Sequence, residues 1–167
     1  FHGCVPMEED GSFTPVELYG RTVSGRALMD RFDRMARTAC FGSGEAKAAA
    51  VDLMWYLWCG RYSPLFGRGE MTTFERRLVA DETTWVESKN PYYSHIQSQE
   101  RCADSLREFG LTMEISHIIN GHVPVRASNG ENPVKGGGKL VVIDGGFCRA
   151  YQPRTGIAGY TLIYNSY

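Results

Sequence analysis

Two histidines stand in similar surroundings although they are far apart in the sequence. His2 and His122 each follow apolar residues and precede a turn that contains a proline, Pro6 in one case and Pro124 in the other. A neutral imidazole is a common ligand for divalent metals, and the ends of strands are where α/β folds place their sites. The spacing carries no ligand signature, so ordinary turn histidines remain an open interpretation. His117, between them in sequence, is expected to be a core or interlayer histidine.

Basic side chains are concentrated between residues 61 and 89. Guanidinium groups bind phosphate oxygens in a bidentate manner, so a phosphate clamp is one interpretation of this stretch. The other is a set of solvated helix faces, which we expect for Arg77. The residues concerned are Arg61, Arg68, Arg76, Arg77 and Lys89.

Charge and composition exclude several classes of partner. The chain has 167 residues, and 18 lysines and arginines against 19 aspartates and glutamates leave a net charge of −1. This balance gives no electrostatic basis for binding nucleic acid or a membrane surface. No apolar window reaches the ~20 residues that span a bilayer. Five cysteines without a Cys-x-x-Cys pair argue against a secreted disulfide framework and predict a reducing, cytoplasmic compartment.

The first half of the chain carries helical patterns. Apolar residues recur at intervals of three and four from Leu28 onwards, which predicts an amphipathic helix beginning at Ser24 and ending at Gly42. Residues 46–58 are apolar nearly all round and precede Gly60, so a second, buried helix is expected there.

Two further helices are indicated before the pattern changes. Thr72 and Glu75 have the spacing of a capping box, which predicts a short helix. A fourth helix is expected from Ser98 to Phe109, with Gly110 as its end.

The remainder of the chain carries short apolar runs rather than helical patterns. Residues 115–119, 140–143 and 160–164 are predicted to be strands. Because the runs are continuous rather than alternating, we expect strands covered on both faces in a layered α/β arrangement. Asp144 follows the second run directly and is either a strand-end carboxylate of a site or the cap of the Gly145-Gly146 turn.

Several strings closely resemble those of the bacterial class III fructose-1,6-bisphosphatases, over essentially the whole chain. They are Phe1–Pro6, Tyr56–Trp58, Met71–Arg76, Lys89–Tyr93, Ile118–Val125, Val142–Phe147 and Thr155–Ser166. That family is related to the calcineurin-type metallophosphoesterases. The resemblance implies an α/β fold that is part of a layered two-sheet metallophosphoesterase sandwich. A helical segment at about 24–110 would be inserted in it, and a strand-rich segment would follow at about 115–167.

The resemblance also implies ligands for one metal ion. His2 lies in a string similar to the His-Gly-Gly-Leu-Ser-Pro string of the protein phosphatases, and Gly121-His122 is similar to a later strand-end histidine of that superfamily. The implied metal is manganese. The other metal motifs of the family have no match here, so we expect no catalytic residue in this chain, which would need the missing N-terminal part of the same domain. The chain also opens on Phe1 and stops after an apolar run, so we expect a fragment of a longer protein. We expect this fragment to be inactive alone, because two imidazoles provide neither a second metal site nor a bridging carboxylate.

A basic residue that contacts the substrate phosphate is implied more weakly. By order along the chain, Lys89 and Asn90 occupy the stretch where protein phosphatases place an arginine, and Arg68 and Arg76 are the next candidates. A lysine lacks the bidentate fork of an arginine, which weakens the transfer of this role.

The implied activity is metal-dependent hydrolysis of the 1-phosphate of fructose 1,6-bisphosphate, in gluconeogenesis, by a longer enzyme. Two alternatives stay open. One is a noncatalytic remnant that binds sugar phosphates or a partner, and the other is a related phosphatase acting on proteins or nucleotides.

Overall fold

The computed structural model describes residues 1–165 of the chain. Residues 4–93 form one compact unit, called here the helical unit, and residues 1–3 with 94–165 form a second, called the sheet unit. Ser166, the last residue of the strings above, lies outside the described residues. The chain therefore leaves the sheet unit after Gly3 and returns to it at Ser94.

The helical unit is built around a strand pair and a helix pair. Strands β1 (Val16–Leu18) and β2 (Arg21–Val23) are antiparallel, and helices α1 (Gly25–Phe41) and α2 (Gly44–Cys59) follow them. Helix α3 (Glu75–Leu78), a 3₁₀ turn at Glu82–Trp85 and the short helix α4 (Tyr92–His95) complete the sequence of elements. The core consists of Val16, Leu18, Leu28, Phe32, Leu53 and Leu57.

The sheet unit contains a small mixed sheet. Its elements are α5 (Gln99–Glu108), β3 (Ile118–Asn120), β4 (Val134–Lys135), β5 (Leu140–Val142) and α6 (Gln152–Thr155). The strand order is β3-β5-β4, with β3 and β5 parallel and β4 antiparallel to β5. Because Asn120 lies opposite Val142, the carboxyl ends of β3 and β5 meet at one edge. The fold is thus mixed α/β with two small sheets.

The bounds predicted for two helices are confirmed. Helix α1 begins directly after Ser24 and ends before Gly42, whose backbone N–H donates to the Thr38 carbonyl at 2.8 Å. Helix α5 begins after Ser98, whose hydroxyl accepts from the Arg101 N–H at 3.4 Å. Ser98 thus acts as an N-cap, whereas Ser24 precedes α1 without a side-chain cap hydrogen bond. In both cases the residue that marks the boundary lies next to it, so local sequence is sufficient.

The burial predicted for α2 is wrong, although its bounds are right. Ala50, Leu53 and Leu57 are buried, but Trp55 is 69% exposed and Trp58 57% exposed. The two tryptophan rings pack on each other, with centroids 5.1 Å apart. Within residues 1–165, α2 packs chiefly on α1, so an all-round apolar helix buries one face and leaves another open.

The capping box predicted at residues 72–75 is not formed. The Thr72 hydroxyl donates to the Trp85 carbonyl and the Glu87 carboxylate, each at 3.1 Å, and the Thr72 N–H also donates to Glu87 at 3.0 Å. Helix α3 then begins at Glu75 without a side-chain cap. The more distant Glu87 thus takes the place that the local pattern assigned to Glu75.

Three further expectations are corrected in the sheet unit. Residues 160–164 form no strand, and the Tyr160 N–H makes a single backbone bond to Ile143. Strand β3 is covered on one face, because Ile119 is exposed while Ile118 is buried. His117 is exposed rather than a core or interlayer histidine, because β3 begins only at Ile118 and leaves it in the preceding loop.

Candidate functional site

The first three residues run alongside β3. The Phe1 backbone nitrogen donates to the Ile119 carbonyl at 2.9 Å, and the Gly121 N–H donates to the His2 carbonyl at 3.1 Å. Both segments therefore run in the same direction, and His2 lies beside the point where β3 ends.

A buried side chain of β3 holds the same three residues. The Asn120 side chain is 1% exposed, and its amide nitrogen lies 3.3, 3.0 and 2.6 Å from the carbonyl oxygens of Phe1, His2 and Gly3. Sequence analysis missed this residue, because Asn-Gly after an apolar run indicates only a turn. No local signal reveals that the asparagine points inward toward a distant segment.

His122 follows in a strained turn. Its φ is 65°, a value uncommon outside glycine, and the Val123 N–H donates to the Gly121 carbonyl at 2.8 Å. This is a three-residue turn centred on His122, and such conformations cost about 1–3 kcal/mol and cluster at functional sites. The turn ends β3 and begins the path of the chain toward Pro124.

The two histidines predicted as ligands meet at this place. Nε2 of His2 lies 2.9 Å from Nδ1 of His122, and the ring planes are inclined at 69° with centroids 4.7 Å apart. At this distance the two nitrogens either share one hydrogen or face one cation. Two nitrogens bound at right angles to one metal, each at about 2.1 Å, lie about 3 Å apart. The pair therefore fits a single divalent ion.

The pair supplies only part of a ligand set. No group of three or more histidine, cysteine, aspartate or glutamate side chains that could hold a metal occurs among residues 1–165. Imidazole suits first-row divalent metals in general, whereas manganese favours additional oxygen ligands. The pair thus fits manganese provided that oxygen donors complete the set.

Two other side chains of ligand-forming types, Asp144 and Cys4, show no sign of metal binding. The Asp144 carboxylate accepts from the Gly146 N–H at 2.7 Å, so it caps the Gly-Gly turn. Cys4 is fully buried, and this burial raises the pKa of its thiol to about 12. A thiol with that pKa stays protonated near neutral pH and is a poor metal ligand.

The helical unit contains a cavity with basic walls. It has a volume of about 240 Å³ and includes Arg61, Arg68 and Lys89 among its lining residues, together with Glu8 and Glu9. Arg68 and Lys89 face each other in an isolated antiparallel bridge. The cavity lining thus combines three cationic residues with two acidic ones.

Arg68, one of the three basic residues of the cavity lining, is paired with a carboxylate. Nη1 of Arg68 lies 3.4 Å from a carboxylate oxygen of Glu87. Burial alone would raise the pKa of Glu87, but two hydrogen bonds from Thr72 and the charges of Arg68 and Arg76 lower it overall. Arg68 therefore reaches the cavity from a fixed ion pair.

Two of the predicted phosphate contacts are used to build the fold. Oδ1 of Asn90 accepts from the backbone N–H groups of Met7 at 3.1 Å and Tyr92 at 3.0 Å. Arg76 donates to the Thr72 hydroxyl at 3.0 Å and to the Trp85 carbonyl at 2.8 Å, and it is not among the residues that line the cavity. Lys89, Asn90 and Arg68 are thus the predicted residues that line the cavity, Arg61 joins them, and Arg76 lies outside the lining.

Comparison with known proteins gives the family. The model of the Firmicute fructose-1,6-bisphosphatase family matches residues 1–167, the whole chain. The chain belongs to this family. A fructose-1,6-bisphosphatase class 3 of Clostridium botulinum is 56% identical over 169 aligned positions, and one of Clostridium novyi is 55% identical over the same length.

These alignments cover all of this chain but 25% of each relative. The chain thus spans about a quarter of the length of the curated relatives, which agrees with the expectation that it is part of a longer enzyme. No solved structure matches it. Within residues 1–165, no helix is both long and apolar enough to cross a bilayer.

Proposed function

We propose that the longer protein containing this chain is a phosphoric monoester hydrolase that removes the 1-phosphate of fructose 1,6-bisphosphate, in the cytoplasm and in the service of gluconeogenesis. The observation that carries the proposal is the meeting of His2 and His122 at 2.9 Å. Family membership supports the substrate, since the class 3 relatives are named for it.

In this proposal the two histidines hold one divalent ion, for which we propose manganese. Nε2 of His2 and Nδ1 of His122 are the donor atoms, and each must be unprotonated to bind. A pair of bound divalent ions supplies an activated water and offsets charge on the phosphoryl oxygens. The chain's own part is to bring the two imidazoles together at a strand end, within the layered two-sheet metallophosphoesterase sandwich that we propose for the complete domain.

The basic cavity is our proposal for a phosphate contact. Lys89 and Arg68 are paired in an isolated bridge in its wall, and a charge-assisted hydrogen bond to a phosphate is stronger than a neutral one. Arg61 is the third cation of that wall. Arg76 lies outside the lining and is held in a hydrogen bond to the Trp85 carbonyl, so we assign it to support of the cavity's surroundings. Asn90 lines the cavity and its Oδ1 accepts two backbone N–H groups, so we keep it as a candidate contact through its amide nitrogen.

The test is the product of the reaction. Full-length protein is incubated with Mn²⁺ and fructose 1,6-bisphosphate, and ³¹P and ¹³C NMR identify what is released. We expect inorganic phosphate and fructose 6-phosphate. Fructose 1-phosphate as the product would contradict the proposed position of cleavage.

The same assay separates the alternatives. A phosphopeptide and a nucleoside monophosphate are run beside the sugar bisphosphate at equal concentration. Faster release from either of these would favour a related protein or nucleotide phosphatase. Tight binding of the sugar bisphosphate by calorimetry without release of phosphate would favour a noncatalytic remnant.

A further inference from the structure

We propose that Asn120 is a positioning residue that sets the separation of His2 and His122, and with it the affinity of the pair for a divalent ion. The inference rests on the proposed function, since it takes the two histidines as ligands. The role lies with the side chain, whose amide hydrogens hold the backbone of residues 1–3.

Both amide hydrogens of Asn120 are used in hydrogen bonds to the backbone of residues 1–3. A carboxamide has two N–H hydrogens, and here they face three carbonyl oxygens, so one hydrogen is shared between two acceptors. The side chain is 1% exposed, which leaves little access for water to replace a lost donor. A carboxylate at this position would face the three oxygens with no hydrogen to offer.

The position along the chain explains why a clamp matters here. The chain leaves the sheet unit after Gly3 and returns at Ser94, so His2 lies one residue from the junction with a unit of 90 residues, from 4 to 93. Asn120 holds the Gly3 carbonyl, the last of the sheet unit before that junction, at 2.6 Å. Asn120 therefore holds the backbone on the C-terminal side of His2, at the last residue before the chain enters the helical unit.

One strand end thus controls both imidazoles. Asn120 lies two residues before His122, and the strained backbone turn at His122 sets the position of that imidazole. Asn120 also donates to the carbonyls of Phe1 and Gly3, the residues on either side of His2. Metal–ligand distances tolerate deviations of only about 0.2 Å. A modest displacement of residues 1–3 from β3 would consequently weaken binding without removing either ligand.

The experiment measures Mn²⁺ binding to the metal-free full-length protein by calorimetry, in the absence of substrate. The variants are Asn120→Asp, which replaces donors by acceptors, and Asn120→Ala, which removes the donors without adding charge. Asn129→Asp is the matched control, because Asn129 is an exposed asparagine of the same unit that also precedes a glycine. Circular dichroism and thermal unfolding of the metal-free proteins report whether each variant is folded.

We expect folded Asn120 variants to bind Mn²⁺ about 10–100-fold more weakly, as is typical when a group that orients metal ligands is removed. Asn120→Asp should be the weaker of the two, and Asn129→Asp should equal the wild type. At saturating Mn²⁺ the Asn120 variants should recover most of the wild-type kcat, since both ligands remain.

His122→Ala keeps this inference distinct from the proposed function. If His122→Ala binds Mn²⁺ like the wild type, the proposed function itself fails. If His122→Ala loses the ion while a folded Asn120 variant keeps wild-type affinity, the positioning role is overturned and the proposed function stands. If neither Asn120 variant folds, the side chain is a folding determinant and the positioning role is likewise overturned.

Discussion

The sheet unit and the helical unit build their candidate sites in opposite ways. In the sheet unit, two histidines 120 residues apart are joined through contacts between residues 1–3 and the end of β3. The cavity of the helical unit is lined by residues from two stretches, 7–14 and 61–91, which are held together at several points, among them the ion pair of Arg68 with Glu87 and the hydrogen bond from the Met7 N–H to Asn90. The difference shows that a site can depend on one junction or on several contacts, and the first is the easier to destroy with one substitution.

The largest expected effect concerns the 167-residue chain without the rest of the enzyme. We predict that the purified 167-residue chain releases no phosphate from fructose 1,6-bisphosphate with Mn²⁺, because two imidazoles supply neither a second metal site nor a bridging carboxylate. A colorimetric phosphate assay at high protein concentration checks this. Turnover that is abolished by a chelator would contradict the prediction and show that the chain completes its own site.

The histidine pair of the sheet unit carries the next largest expected effect. His2→Ala or His122→Ala in the full-length enzyme should lower the metal content and reduce kcat/KM by more than about 100-fold, because each removes a direct ligand. Metal analysis and steady-state kinetics are the measurements. His117→Ala is the matched control, since His117 is an exposed histidine of the same unit. Unchanged metal stoichiometry in both ligand variants would refute the assignment.

Substitutions on the two faces of helix α2 measure how much the core of the helical unit contributes to the free energy of unfolding. Leu53→Ala should lower the free energy of unfolding by about 2–5 kcal/mol, because Leu53 is buried in the core with Phe32 and Leu57. Trp55→Ala, on the exposed face, should change it by less than about 0.5 kcal/mol. Urea unfolding of the 167-residue chain gives both values. A larger loss for Trp55→Ala than for Leu53→Ala would mean that the open face of α2 is covered.

The sequence could predict the features that depend on neighbouring residues, and it could not predict those that depend on distant contacts. The bounds of α1 follow from Ser24 and Gly42, each within a turn of the helix end it marks. The exposure of Trp55 and the inward direction of Asn120 depend on what lies across space from them, and no local pattern records that. The histidine pair was found through family resemblance, since the residues alone left turn histidines as an alternative.

A substitution in the basic cavity should have a smaller effect on kcat/KM than the loss of a histidine ligand. Lys89→Met in the full-length enzyme should reduce kcat/KM about tenfold to a hundredfold if Lys89 contacts a substrate phosphate, equivalent to a charge-assisted hydrogen bond of about 1.5–3 kcal/mol. Arg77→Met is the control, because Arg77 is an exposed basic residue of the same unit that does not line the cavity. Equal kinetics in the two variants would remove Lys89 from the site and direct attention to Arg68 and Arg61.

The smallest effect is a pH-dependent one at Glu87, which supports the cavity wall. Its pKa is lowered in the folded chain, because the hydrogen bonds from Thr72 and the charges of Arg68 and Arg76 outweigh the cost of burial. A group with a lowered folded pKa stabilises the fold above its unfolded pKa, and this stabilisation is lost as the pH falls through the folded value. Glu87→Gln should therefore cost about 1 kcal/mol at pH 7, and the difference from the wild type should shrink as the pH falls below about 4.5.

Glu82→Gln separates this effect from a general change in charge. Glu82 is exposed in the adjacent 3₁₀ turn, so the same substitution removes one negative charge without touching the Thr72 and Arg68 contacts. Urea unfolding of the three proteins between pH 3 and pH 7 should give parallel curves for Glu82→Gln and the wild type, and a converging curve for Glu87→Gln. A constant offset for Glu87→Gln across that range would assign its cost to packing rather than to the ion pair. The ion pair with Glu87 would then not explain how Arg68 is held at the cavity.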